Sequence, residues 1–68
     1  MHTIYHVLDN YAAANKLSQQ QLAGELGMSA SAYSHKKADD QRFTADQLFA
    51  ASKLLGCSME TVYVLERF

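Results

Sequence analysis

The chain has 68 residues, 49% of them hydrophobic, and 6 Lys and Arg against 7 Asp and Glu give a formal net charge of −1. That length allows one domain, the single cysteine excludes an internal disulfide framework and a Cys-based zinc finger, and a chain without proline and with only 3 glycines does not read as a disordered tail. No apolar run approaches the roughly 20 residues that span a bilayer, no signal-peptide pattern opens the chain, and near-neutral charge counts at first against nucleic acid.

No period-two alternation and no hairpin turn signal is present, so strands are not expected. Helical spacing appears instead, in short capped pieces. The first runs from about Thr3, a candidate N-cap, to Ala14. Ile4, Val7, Leu8 and Tyr11 share one face of it, and Asn15 and Lys16 end it. The second opens at Ser18, where Ser18-Gln19-Gln20-Gln21 fits a capping box. Leu22, Ala23 and Leu26 form its inner stripe, and Gly27 stands where a left-handed residue closes a helix. Ser29 caps a third piece, to about Lys37, with Tyr33 as its only large apolar residue. A helix so short and polar is not stable alone and must lean on its neighbours. Its composition suits presentation better than core building. Residues 38–43 read as a loop. Thr44-Ala45-Asp46-Gln47 is a second capping box, opening a helix over about 45–55 that ends at Gly56. Leu48, Ala51, Ser52 and Leu55 share its inner face. Ser58 caps a fifth helix over about 59–66, with Val62, Leu65 and Tyr63 as its apolar contacts. The expected fold is all-α, five short helices forming a single domain over residues 1–68.

The stretch from Leu17 to Ser29, continued through Tyr33-Ser34, then Phe43-Thr44 and Leu54-Leu55-Gly56-Cys57-Ser58, resembles the helix-turn-helix of the Cro/CI repressors, the XRE family. The resemblance covers about residues 4–65. It implies a lambda-repressor-like domain with the helix-turn-helix at about 18–37, and a helix starting at Ser29 that enters the DNA major groove. The positions matching the family's base-reading residues are Ala30, Ser31, Ser34 and His35. The candidate phosphate contacts are Gln19, Ser29, Lys36, Lys37 and Arg42. The implied partner is an operator in double-stranded DNA, bound by a homodimer in the cytoplasm of a bacterial or phage-infected cell. Val62, Tyr63, Leu65 and Phe68 are the candidate dimer contacts, because one flank of the fifth helix and the tail lack an obvious internal partner. No cofactor, metal or catalytic residue is implied.

Three departures from the family pattern stand beside these matches. Lys36 occupies a usually apolar position, where its stem can be buried while its amine reaches out. Lys37 stands where Glu is common, and Asp39 and Asp40 replace an Asn-Gly type of turn. Split by region, residues 29–45 sum to +1, against −1 for residues 1–28 and −1 for residues 46–68. A weak basic face is therefore expected on the third helix and its loop, with few phosphate contacts and a shallow salt dependence. The alternative is a protein-interaction module on the same fold, an antitoxin-like or anti-repressor subunit, which the acidic residues would favour. His2 and His6, spaced for a metal, are expected to lie in a frayed N-terminus. Cys57 is expected to act as a small buried hydrophobe.

Overall fold

Five helices make up the protein in a computed structural model that describes residues 2–67: α1 (Thr3–Ala14), α2 (Gln19–Glu25), α3 (Ala30–Ala38), α4 (Ala45–Leu55) and α5 (Met59–Arg67). The described residues contain no strand, and the all-α class is the one expected. Local chemistry starts four of the helices. Ser18 and Thr44 each form a complete capping box, with Gln21 and Gln47 returning the bond to the cap amide. The Ser29 hydroxyl accepts from the Ala32 amide, and the Ser58 hydroxyl from the Thr61 amide. At α1 the boundary differs from expectation. His2 occupies the N-cap in extended conformation without a side-chain cap, and Thr3 is the first helical residue.

The first four helices end alike. A residue of positive φ follows each: Lys16 (57°), Gly27 (77°), Asp40 (54°) and Gly56 (68°). The next amide then reaches back to a carbonyl in the last turn. These bonds are Leu17 to Ala12 at 2.8 Å, Met28 to Ala23 at 2.9 Å, Gln41 to Lys36 at 2.9 Å and Cys57 to Ser52 at 3.1 Å. Leu17, Met28 and Cys57 then pack against the core, as the usual apolar partner of this closure does. After α3 the corresponding residue is the polar Gln41.

Ile4, Tyr5 and Leu8 of α1, Leu22 and Ala23 of α2, Leu48 and Ala51 of α4 and Val62 of α5 meet in one core, with Leu26, Tyr33 and Phe43. A fully buried leucine such as Leu22 contributes roughly 1.5–3 kcal/mol. Tyr5 was absent from the expected α1 face, yet it is fully buried and its ring meets Phe43 edge-on at 5.3 Å. Val7 and Tyr11 are only half-buried. The chain turns by 112° between α4 and α5, which brings α5 back against α1. Among the described residues no single helix is long and apolar enough to cross a membrane.

Candidate nucleic-acid interface

α2 and α3 pack against each other around the turn closed by Gly27. Both capping serines, Ser18 and Ser29, precede their helices in extended backbone, so the chain leaves one helix and enters the next within a few residues. Tyr33 is the one buried residue of α3. With its ring inward, helical periodicity turns Ser31, Ser34, His35 and Ala38 outward. These four and Ala30 line one shallow open groove. Ser31, Ser34 and His35 are exposed. The four residues matched to base reading therefore lie together on one face, joined by Ala38, which sequence reasoning missed. Ala38 falls one turn beyond Ser34, and a helical wheel centred on Tyr33 would have found it.

Gln19, matched to phosphate contact, lies on the same surface. Its side-chain amide donates to the Ser34 hydroxyl, linking the first turn of α2 to the middle of α3. Ser29 is committed to its cap bond and remains exposed. Arg42 lies exposed in the loop after α3.

The two lysines stand apart from this face. They follow Tyr33 by three and four residues, which sets them on either flank of the buried side. Lys36 donates to the Arg42 carbonyl at 3.0 Å, with its amine 6.0 Å from the Phe43 ring centre. Lys37 pairs with Asp9 at 3.1 Å and lies 5.3 Å above the Tyr33 ring. The basic face expected from the charge count is thus not the outward face of α3, whose groove residues carry no permanent charge.

A row of polar ties from α1 holds α3 and the loop after it. His2, Tyr5 and Asp9 follow one another at helical spacing. The His2 amide donates to Asp40 Oδ1 at 2.7 Å. The His2 ring Nδ1 lies 2.9 Å from the same oxygen, close enough for an ion pair when the ring is protonated, though not aligned as a hydrogen bond. His2 is thus anchored, where a frayed N-terminus was expected. These contacts, the His2 amide first, hold the Asp40 carboxyl below its usual range. The Tyr5 hydroxyl donates to the Gln41 carbonyl at 2.6 Å, and the Tyr33 hydroxyl to Asp9 Oδ1 at 3.1 Å. Burial pushes the Tyr5 phenol up to about 12, with smaller contributions from the charges of Asp40 and Glu66. Burial raises the Tyr33 phenol further, and the charge and hydrogen bond of Asp9 add to it. From α5, the buried Glu66 accepts the Phe43 amide at 3.1 Å and fixes the far end of the loop. Asp9 and Glu66 were not anticipated. Glu66 lies one turn after Val62 on the inward stripe, but its partner is 23 residues away in sequence.

The profile of the helix-turn-helix family matches residues 10–62, more than three quarters of the chain. The chain belongs to the XRE-type helix-turn-helix family. No curated protein and no solved structure matches it. Family membership makes it a DNA-binding regulator of transcription in kind, and this helix-turn-helix family is not an enzyme family.

Of the candidate dimer contacts, Val62 is corrected by the fold. It is fully buried, because it faces the core while its neighbours in sequence rotate outward. Leu65 is half-buried against that core. Tyr63 is 46% exposed, with the Arg67 guanidinium 5.6 Å over its ring, and so it is not an inner contact of α5. Phe68 lies outside the described residues. Met59 and Val64 are also exposed on α5.

Proposed function

We propose that this helix-turn-helix protein is a sequence-specific repressor of Cro/CI type, acting in the cytoplasm of a bacterial or phage-infected cell. It inserts α3 into the major groove of its operator. The observation that carries this reading is the outward face of α3, where Ser31, Ser34 and His35 are exposed beside Ala30 and Ala38. Serine and histidine offer donors and acceptors to base edges, and the alanine methyls suit thymine methyls. Gln19, which bonds Ser34 on that face, serves as a phosphate contact together with Ser29, the exposed Arg42 and, from the flank of α3, Lys36.

One nine-residue helix in one groove binds weakly, so two copies act together. The second copy docks on the outer side of α5, through Tyr63, Met59 and Val64 with the edge of Leu65. Two recognition helices about 34 Å apart would then meet successive major grooves of a palindrome. Fluorescence anisotropy of the full chain on DNA flanking its own gene, at low and moderate salt, tests the reading. Tighter binding to one palindromic segment than to the other fragments, kept at moderate salt, is the expected result. Binding without sequence preference at low salt would refute it, and protein capture without DNA binding would favour the interaction-module alternative.

A further inference from the structure

We propose that Asp9 is a built-in competitor of DNA phosphate, holding Lys37 in reserve and setting the protein's affinity for DNA below what its lysines would allow. The inference rests on the DNA-binding role of α3 and concerns the strength and salt dependence of that binding.

Both oxygens of Asp9 are engaged with α3. Oδ1 accepts the Tyr33 hydroxyl at 3.1 Å and Oδ2 meets the Lys37 amine at 3.1 Å. The phenol bond fixes the carboxylate, so the acid stays where Lys37 finds it. The Lys37 side chain is 24% exposed and its amine also lies over the Tyr33 ring. Its position on the flank of the buried side, one turn from Tyr33, borders the DNA-facing surface without belonging to it.

Lys36 makes the contrast. Its partner is a neutral carbonyl, so its charge is uncompensated. A lysine paired with an internal carboxylate brings no net charge to the duplex. It displaces no counterion from a phosphate unless it first leaves its acid, and then the bare acid faces the DNA. Each phosphate neutralised by a protein cation adds about 0.9 to the fall of log K with log salt. In the unaltered chain, Lys37 contributes nothing to that slope.

The test uses the full chain and a mixed-sequence duplex, so no operator need be known. Binding is titrated across a salt series for the unaltered chain, D9N and D9N/K37M, each checked by thermal melting. The amide of D9N keeps an oxygen acceptor for the Tyr33 hydroxyl while releasing Lys37. D9N should steepen the slope by about 0.9 and bind several-fold tighter at low salt. The double variant, with the pair neutralised on both sides, should return to the unaltered slope. If D9N leaves the slope unchanged, or the double variant keeps the gain, the competitor role is overturned. A double variant shallower than the unaltered chain by about 0.9 overturns it too, because Lys37 would already be on a phosphate. If D9N does not fold, D9S, which also removes the charge and releases Lys37, takes its place under the same criteria. Absence of any binding by the unaltered chain removes the DNA-binding reading itself, whereas binding with the wrong slopes removes only this proposal.

Discussion

α2 and α3 are the two halves of one helix-turn-helix, and they are held by different forces. α2 is seven residues long and buries Leu22 and Ala23, with Leu26 buried at its C-cap. α3 is nine residues long and buries only Tyr33. What α3 lacks in apolar contact is supplied by directional polar ties to Asp9, and to Asp40 and Gln41 just beyond its end. A helix that must show one face to another molecule has few positions left for a core. Hydrogen bonds at its flanks orient it without covering that face.

The largest expected effect strikes the shown face of α3. Ser31→Glu combined with His35→Glu should weaken operator binding more than about a hundredfold, the equivalent of two contacts of roughly 1.4 kcal/mol each. Helical circular dichroism and melting should be unchanged, since both residues are exposed. Retained binding would mean that α3 meets DNA with another face.

The comparison itself is sharpened by Leu22→Ala against Tyr33→Phe. Loss of the buried leucine should cost about 2–5 kcal/mol of stability in denaturant titration. Loss of the phenol hydroxyl should cost about 1 kcal/mol, because Asp9 keeps Lys37 and the ring keeps its place. Equal costs would show that the phenol bond holds α3 as firmly as the apolar core holds α2.

Alkali should loosen α3 and its loop. The Tyr5 and Tyr33 phenols are raised in the folded state, so the unfolded chain loses those protons first. Stability from them is complete below about pH 10, the ordinary tyrosine value, and is lost as pH climbs toward about 12, the folded value of Tyr5. Melting temperature measured from neutral to alkaline pH should fall across that window. In Tyr5→Phe the fall should shrink.

The smallest effect belongs to Lys36→Leu, which should leave melting equal or slightly higher, within about 0.5 kcal/mol. Lys36 is half-buried at a position that suits an apolar side chain, and water replaces the amine at the exposed Arg42 carbonyl. DNA binding should weaken and lose salt dependence by about one phosphate contact. A clear drop in melting would show that the carbonyl bond closes the loop after α3.

Much of the fold was legible along the chain. The boxes at Ser18 and Thr44 and the stops at Gly27 and Gly56 depend on residues three or four positions apart. The outward set Ser31, Ser34 and His35 was equally readable once Tyr33 was placed inward. The basic outward face was misplaced because a charge sum over residues 29–45 ignores helical phase. Counting around α3 from Tyr33 moves both lysines to its buried flanks. Val62, rightly placed among the inward contacts of the fifth helix, was also counted as a dimer contact, which its full burial excludes.

Local spacing and capping chemistry thus determined the five helices, most of their ends and the family resemblance, because such signals act within one or two turns. Only the tertiary structure decided which charges remain available. The opening balance of −1 contains a Lys37 cancelled by Asp9, 28 residues distant, and an Asp40 bound by His2, 38 residues distant. Such pairs form when α1 is packed beside the end of α3. They depend on side chains meeting across the fold, and no local pattern encodes that meeting.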